Sequence, residues 1–270
     1  MSERIAVTLS EGVADVRLAR PDKMNALDIA MFKALVDTTA RLSREKGLRA
    51  VVLSGEGRAF CAGLDMSRFA AMKETGGAGL PGGAERDLTA RTHGDANFPQ
   101  QAVWGWRQLP VPVIAAVHGV AFGGGFQLAL GADMRFLSPD ARMSIMEVKW
   151  GLVPDMAGTP ILARLVRDDI LRDLTYTGRV FSAEEALSYG LATRIVDDPY
   201  AAAMEAAREI ANKSPDAIRA AKRLFNALGG DPRPALIAES IEQQKLIGSP
   251  NQREAVSANI DKRPPRFTDA

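Results

Sequence analysis

Short alternating or apolar runs, separated by glycine-containing turns, dominate the N-terminal part of the chain. Residues 5–9 and 13–18 alternate between apolar and polar positions around Glu11-Gly12, which predicts a β-hairpin. Residues 50–54 and 113–117 are largely apolar and typical of short buried strands. Each of these two runs is followed by a glycine turn and a helix-like segment. A strand, a turn and a helix, repeated in this order, indicate an α/β fold.

The first long helical pattern covers residues 25–46, whose leucine and methionine side chains lie roughly on one face. Gly47 is the predicted stop of this helix. Further short strands are predicted at residues 132–136, 142–145 and 192–196. These segments add strands to the α/β pattern.

From about residue 158 the pattern becomes mainly helical. It divides the chain into residues 1–199, an α/β core, and residues 200–270, a helical C-terminal region. Ser214-Pro215 and Ser249-Pro250 mark helix starts, because serine caps a helix and proline is favoured at its first position. Three isoleucines of this region need an apolar partner, either the region's own core or a neighbouring subunit: Ile237, Ile241 and Ile247.

Residues 70–100 differ in composition from the rest of the chain, and residues 76–83 are rich in glycine. One interpretation is a tolerated surface insertion. The other is a mobile lid over a pocket, because long loops in compact domains are often functional. The sequence leaves both interpretations open.

Composition and charge argue against several classes of function. The formal net charge is +1, which argues against a nucleic-acid partner. One cysteine excludes an intrachain disulfide, and two histidines make a metal site unexpected. No apolar run is long enough for a membrane span, and the termini carry no targeting signal, so we expect a cytoplasmic protein.

Two glycine turns carry the candidate chemistry, at residues 60–65 (FCAGLD) and 119–127 (GVAFGGGFQ). Each follows a predicted strand and opens a helix, so backbone N–H groups are left without intrahelical acceptors. Neither turn has the spacing of a dinucleotide-binding or P-loop motif. Two such turns facing one point would form an oxyanion hole, which stabilises negative charge on a carbonyl oxygen.

Several motifs together resemble the crotonase superfamily, the enoyl-CoA hydratases and isomerases. They occur in the order and spacing of that family over essentially the whole chain. They are residues 20–27 (RPDKMNAL), 60–65 (FCAGLD), 123–125 (GGG), 147–154 (EVKWGLVP) and 262–267 (KRPPRF).

The resemblance implies a crotonase-like spiral of ββα units with a C-terminal helical trimerisation region. It implies a homo-oligomer, a trimer or a dimer of trimers. The substrate would be an acyl-CoA thioester, and no separate cofactor would be needed, because coenzyme A enters with the substrate. The family's oxyanion hole maps onto the backbone N–H groups of Leu64 and Gly124, and its CoA-binding residues onto Lys23, Met24 and Ala62.

Several residues in or near these motifs also have structural interpretations that involve no catalysis. Lys23 is either a phosphate contact or a solvated loop lysine. Asp65 is interpreted as a helix cap rather than a catalyst. Cys61 is interpreted as a small buried residue rather than a nucleophile. His118 is interpreted as structural.

The acid–base residues distinguish the possible reactions. Hydratases of the family use two glutamates; this chain has Gln127 at the first position and Glu147 at the second. A neutral amide orients groups but does not transfer a proton. Asp155, eight residues after Glu147, resembles the dienoyl-CoA isomerase branch. That branch, however, has an aspartate at the position of Gln127.

The sequence therefore favours double-bond isomerisation of an enoyl- or dienoyl-CoA. Glu147 would be the principal base and acid, Asp155 its partner, and Gln127 an orienting group. Hydration of a 2-trans-enoyl-CoA with Glu147 alone is the close alternative. A non-catalytic acyl-CoA-binding scaffold is the alternative from another class.

Overall fold

The computed structural model describes residues 4–75, 87–228 and 230–267, and these ranges form the predicted α/β architecture. The strands are β1 (Ile5–Ser10), β2 (Val13–Leu18), β3 (Ala50–Gly55), β4 (Val113–Val117), β5 (Val120–Phe122), β6 (Met134–Leu137), β7 (Arg142–Ser144), β8 (Phe181–Ser182) and β9 (Arg194–Ile195). The helices are α1 (Ile29–Leu42), α2 (Met66–Thr75), α3 (Phe98–Gln108), α4 (Gly124–Leu130), α5 (Gly158–Leu162), α6 (Asp168–Thr177), α7 (Ala183–Ser188), α8 (Pro199–Ala211), α9 (Pro215–Ala227), α10 (Arg233–Leu246) and α11 (Pro250–Ile260). The glycine-rich stretch at 76–83, predicted as an insertion or a lid, lies outside the described residues.

The larger sheet has the strand order β1-β2-β3-β4-β6-β9, with an antiparallel hairpin at one edge and parallel pairs elsewhere. The predicted hairpin is confirmed, with Ile5 opposite Leu18 and Ser10 opposite Val13. Its turn residues Glu11 and Gly12 both have positive φ, at 51° and 79°. This conformation matches the twist of the two strands, so the turn fixes their register.

The central strands are buried on both faces, which explains their uninterrupted apolar sequences. Val51 and Leu53 of β3 face a core that includes α1 and α3. Ala50 and Val52, the alternate residues of the same strand, face a second cluster that includes Ala203 and Ala207 of α8. Helix α8 therefore covers one face of the sheet, although nearly all of it belongs to the predicted C-terminal region. The domain division at residue 199 stays a prediction.

Helix α1 is shorter than the predicted 25–46. It begins at Ile29 because Asp28 is its N-cap, whose carboxylate accepts from the backbone N–H of Met31 at 2.8 Å. Asn25 lies outside the helix with φ of 55°, and its buried side chain donates to the carbonyl oxygen of Ala59 at 2.9 Å. The amide of Asn25 thus ties the loop before α1 to the first glycine turn. The predicted strand at 192–196 is likewise reduced to Arg194–Ile195.

The caps predicted for the C-terminal helices are confirmed. The hydroxyls of Ser214 and Ser249 accept from the backbone N–H three residues later, with proline at the first helical position in both cases. Within the ranges that the structure describes, no helix combines the length and the apolar character needed to cross a bilayer.

Candidate active site

One cavity of about 470 Å³ is lined by every residue that the sequence singled out as catalytic, oxyanion-binding or CoA-binding. Those residues are Lys23, Met24, Ala62, Leu64, Gly124, Gln127, Glu147 and Asp155. The remaining lining is largely apolar and aromatic, including Phe32, Phe69, Met72, Trp150, Leu152 and Ile247. An apolar cavity with a few convergent polar groups is the usual form of a small-molecule site.

The two glycine turns are joined side by side through their backbones. The N–H of Cys61 donates to the carbonyl oxygen of Val120 at 3.0 Å, and the N–H of Phe122 donates to the carbonyl oxygen of Cys61 at 3.1 Å. This is a parallel bridge between Cys61 and Ala121. Leu64 and Gly124 each lie three residues beyond their member of the bridge, so the two chains bring them to the same end.

Glycine at position 63 makes this approach possible. Gly63 has φ of 87°, and a Cβ placed on it would lie 2.5 Å from the carbonyl oxygen of Phe122 and 3.7 Å from the backbone nitrogen of Gly124. A side chain at this position would therefore push the turns apart. The backbone of Gly63 is pinned, because its carbonyl oxygen accepts from the N–H of Leu27 at 2.8 Å.

The backbone N–H groups of Leu64 and Gly124 both have free donor capacity at the cavity. Leu64 is bridged to Leu27 through the carbonyl of residue 63 and the N–H of residue 65, so the N–H of Leu64 itself faces away from Leu27. Gly124 is the first residue of α4, where an N–H has no intrahelical acceptor. Neither N–H donates to an acceptor in the part of the chain that the structure describes. Their assignment as an oxyanion hole stays a prediction.

Gln127 is a buried side chain with all its polar atoms committed. Its Oε1 accepts from the backbone N–H groups of Met156 at 2.9 Å and Gly158 at 3.1 Å. Its Nε2 must then point the other way, and it donates to Oε1 of Glu147 at 2.6 Å. Gln127 therefore orients the Glu147 carboxyl.

Glu147 lies in a single turn of 3-10 helix, Glu147–Trp150, and its side chain is only 8% exposed. Burial raises the pKa of Glu147 to about 7, although the hydrogen bond from Gln127 opposes the rise. Its second oxygen, Oε2, is buried and has no hydrogen-bond partner within the described chain. A carboxylate with one oriented and one uncommitted oxygen, titrating near neutrality, suits proton transfer.

Asp155 is another carboxyl of the cavity wall and is half-buried. Burial, together with the nearby charges of Glu239 and Glu147, raises the pKa of Asp155 to about 8. A side-chain hydrogen bond with Gln243 opposes the shift. Two carboxyls whose pKa values are raised toward neutrality can each take up or release a proton near neutral pH.

The sequence analysis missed the contribution of helix α10 to this site. Glu239 is 5% exposed, and its carboxylate accepts from the backbone N–H groups of Ala157 and Thr159 at 2.9 and 2.8 Å. Gln243, one turn further along, lines the cavity and accepts from the backbone N–H of Val153 at 3.0 Å. Ile237 and Ile241 are 37% and 39% exposed in the single chain, so the apolar partner predicted for them in a neighbouring subunit stays a prediction.

The signal in the sequence was a polar stripe rather than an apolar one. Glu239, Ser240 and Gln243 recur at helical spacing, and all three are buried. Ile247, the third isoleucine, lines the cavity. The face of α10 that turns inward is therefore mixed, with the fully buried Leu236 beside the three polar side chains.

Asp65, Cys61 and His118 have the surroundings expected of structural residues. Asp65 accepts from the backbone N–H of Ser67 at 2.9 Å at the start of α2 and pairs with Arg20 at 2.5 Å. Burial alone would raise the pKa of Asp65, but the hydrogen bonds from Ser67 and Arg20 lower it to about 2. Burial raises the pKa of the Cys61 thiol to about 12, so this cysteine stays protonated. His118 contacts the carbonyl oxygen of Gly57 through Nε2 at 2.9 Å, a structural contact.

Comparison with known proteins places this geometry among acyl-CoA enzymes. A model of the family described as enoyl-CoA hydratase/isomerase matches residues 8–270. The chain is 34% identical over 228 residues to the mitochondrial delta(3,5)-delta(2,4)-dienoyl-CoA isomerase of Mus musculus, which covers 82% of this chain and 68% of that protein. It is 34% identical over 263 residues to the mevalonyl-coenzyme A hydratase of Beauveria bassiana, covering 94% of this chain and 91% of that one. The crystal structure of an enoyl-CoA hydratase/isomerase from Pseudoalteromonas atlantica matches with a TM-score of 0.84 and 28% identity, covering 98% of this chain and 100% of that one.

Proposed function

Because the chain belongs to the enoyl-CoA hydratase/isomerase family, we propose that it moves a double bond along the acyl chain of an enoyl- or dienoyl-CoA thioester. The same comparisons confirm the crotonase-like α/β fold with its C-terminal helical region. Relatives with the names hydratase and isomerase match at equal identity, so the choice of isomerisation rests on the site of this chain.

The proposal of isomerisation depends mainly on the hydrogen bonds of the Gln127 side chain. Its carbonyl oxygen is occupied by two backbone N–H groups, and its nitrogen is occupied by Glu147. It is therefore a fixed neutral group, which does not activate water as a second carboxylate would. Glu147 and Asp155 are lining carboxyls whose pKa values burial raises toward neutrality.

The proposed reaction is a proton shuttle. The N–H groups of Leu64 and Gly124 bind the thioester oxygen. Glu147 takes a proton from the acyl chain next to the conjugated system, and the electron pair of that C–H bond passes into a dienolate. Asp155, which holds a proton near neutral pH, gives one back at a different carbon. The substrate loses one proton and gains one, so its composition is unchanged, and a proton returned from Glu147 to Asp155 restores the enzyme. The developing negative charge stays on the oxygen that the two N–H groups stabilise.

Hydration of a 2-trans-enoyl-CoA is the second candidate. The uncommitted Oε2 of Glu147 supports it, since a water bound there would be activated by one carboxylate. A non-catalytic acyl-CoA-binding scaffold is the candidate from another class. The two carboxyls with pKa values raised by burial argue for catalysis, because such groups concentrate at active sites.

The remaining assignments are proposals that follow from the family. Lys23, Met24 and Ala62 line the cavity and would hold the nucleotide end of coenzyme A, which enters with the substrate, so that no separate cofactor is required. Leu224, Phe225 and Leu228 are 66–77% exposed around the end of α9, which supports a homo-oligomer, a trimer or a dimer of trimers. Light scattering of the purified chain tests the oligomer, and a monomer at micromolar concentration would contradict it.

The test of the reaction is mass spectrometry of products from 2-enoyl-, 3-enoyl- and 3,5-dienoyl-CoA. We expect products of unchanged mass with a moved double bond. A gain of one water from the 2-enoyl substrate would replace isomerisation by hydration, and bound thioester without turnover would favour the scaffold.

The role of Glu147 is tested with the variant Glu147→Gln, for which we expect turnover to fall by about 10²–10⁴-fold. Glu205→Gln, at an exposed position of α8, is the control and keeps full activity. Full activity in Glu147→Gln would contradict the mechanism.

A further inference from the structure

Four successive backbone N–H groups at residues 156–159 are divided between two side chains. The first and third donate to the single oxygen of the Gln127 amide, at 2.9 and 3.1 Å. The second and fourth donate to the two oxygens of the Glu239 carboxylate, at 2.9 and 2.8 Å. The N–H groups that open α5 have no intrahelical acceptors, so these two side chains determine where the segment lies.

This segment carries two groups of the site. Asp155 immediately precedes it, and Met156 begins it. The thioether of Met156 packs against Gly124, since a Cβ on Gly124 would lie 2.9 Å from its Sδ. Ala157 has φ of 63°, a conformation that costs energy for alanine and persists only where the surroundings hold it.

Glu239 is itself held rigidly from both sides. Its Oε2 also accepts from Nε2 of Gln100 at 3.0 Å, and its Oε1 accepts from the hydroxyl of Thr159. Gln100 is fully buried and is fixed by its capping contacts with Asn97 at the start of α3. The carboxylate therefore links α10, α3 and the segment before α5.

We propose that Glu239 is a positioning residue for the reaction: it fixes the segment that carries Asp155 and Met156, and its negative charge acts on the Glu147–Asp155 pair. Its own carboxylate oxygens are both engaged by the protein, so it does not contact the substrate. This inference rests on the proposed function for its kinetic consequence, but its electrostatic part concerns the free protein alone.

The electrostatic part of the proposal depends on the charged groups that surround Glu239. Glu147 and Asp155 face it from the cavity side, and Arg91 faces it from the segment before α3. Burial raises the pKa of Glu239 and hydrogen bonds from Thr159 and Gln100 oppose the rise. A charged Glu239 favours the protonated forms of the other two carboxyls, because like charges repel in a medium of low dielectric constant.

Three variants separate the two roles. Glu239→Gln removes the charge and turns an NH₂ group toward the donors of Ala157 or Thr159. Glu239→Asp keeps the charge but shortens the reach by one methylene. Glu242→Gln removes an exposed carboxylate from the same helix, where it pairs with Lys245, and is the matched control.

For Glu239→Gln we expect kcat to fall about 10–100-fold, with KM changed less than threefold, because a displaced proton-transfer group slows chemistry more than binding. Its pH–rate profile moves to lower pH. For Glu239→Asp we expect a similar loss of kcat with the profile unmoved. Glu242→Gln leaves both unchanged.

A substrate-free measurement keeps this inference separate from the proposed reaction. The infrared carbonyl band of protonated carboxylic acids is followed against pH in the free protein, with Glu147→Gln and Asp155→Asn to assign it. We expect the protons of the pair to leave at lower pH in Glu239→Gln than in the wild type.

An unmoved titration in folded Glu239→Gln, or an equal shift in Glu242→Gln, overturns the electrostatic role whether or not the protein is an isomerase. If Glu239→Gln does not fold, Glu239→Asp decides the positioning role, and an unchanged kcat there overturns it.

Discussion

The cavity has a backbone wall and a side-chain wall, and they differ in how they are held. The backbone wall, residues 60–65 and 119–125, presents N–H groups and glycines, joined by the bridge between Cys61 and Ala121. The side-chain wall, residues 147–159 with Gln127 and α10, presents carboxyls that are held by side-chain and backbone amides. The first wall is fixed by chain conformation, whereas the second depends on burial and charge. The same ligand-binding cavity is thus sensitive to two kinds of substitution.

The backbone wall should be broken most severely by adding a single methyl group. Gly63→Ala places a Cβ 2.5 Å from a backbone oxygen at a φ of 87°. We expect kcat to fall about 10²–10³-fold, the cost of losing one oxyanion donor, together with a loss of stability of about 1–3 kcal/mol.

The control for this variant is Gly47→Ala. Gly47 has φ of 79° but open space around its Cβ position, so this variant bears the conformational strain without the clash. It should lose about 1 kcal/mol of stability and no activity. Equal activity in Gly63→Ala and the wild type, measured by the product assay, would remove the first glycine turn from the catalytic site.

How much the sequence predicts differs between the two walls for a physical reason. Glycines at positions of close approach and strands with uninterrupted apolar runs are local signals, so the first turn, the hairpin and β3 and β4 were predicted correctly. The second predicted turn contains the short strand β5, which was missed. Glu147 and Asp155 were proposed through family motifs.

Glu239 was not proposed, because its role comes from contacts with Ala157 and Thr159, which lie 82 and 80 positions away along the chain. The buried polar residues of α10 were not predicted either, because they form hydrogen bonds with distant backbone and side-chain groups. The start of α1 was misplaced because the side chain of Asn25 binds backbone groups outside the helix.

The side-chain wall can be altered without changing its shape through Gln127→Glu. One carboxylate oxygen can still accept from Met156 and Gly158, while the other replaces the donor that faces Glu147 at 2.6 Å. Two carboxyls at this distance share one proton, so the pKa of the pair rises. We expect isomerisation to fall about tenfold, by analogy with the loss of one acid–base contribution, and hydration of 2-enoyl-CoA to increase.

Mass spectrometry of the products measures both activities of Gln127→Glu in one experiment. Gln108→Glu, at an exposed position at the end of α3, is the matched control. An unchanged ratio of hydrated to isomerised product would mean that position 127 does not choose between the reactions, and the proposal would lose its main support.

The smallest expected effect is on stability, and it again concerns only the side-chain wall. Burial raises the pKa of Glu147 from 4.5 to about 7, so between these values the native state holds a proton that the unfolded chain has lost. The free energy of unfolding therefore decreases as pH rises through this window, by about 1–3 kcal/mol for a shift of this size.

Glu147→Gln removes this contribution and should make the pH dependence shallower, although Asp155 keeps its own, and the inactive variant becomes more stable than the wild type at pH 8. Urea unfolding at pH 5 and pH 8 measures the difference, with Glu205→Gln as the control. If the free energy of unfolding depends on pH in the same way in the wild type and in Glu147→Gln, ionisation of Glu147 does not affect stability. The side-chain wall would then be no more sensitive to charge than the backbone wall. The expected result instead ties the instability of this wall to its chemistry, since a carboxyl kept ready for proton transfer costs folding free energy at the pH where it works.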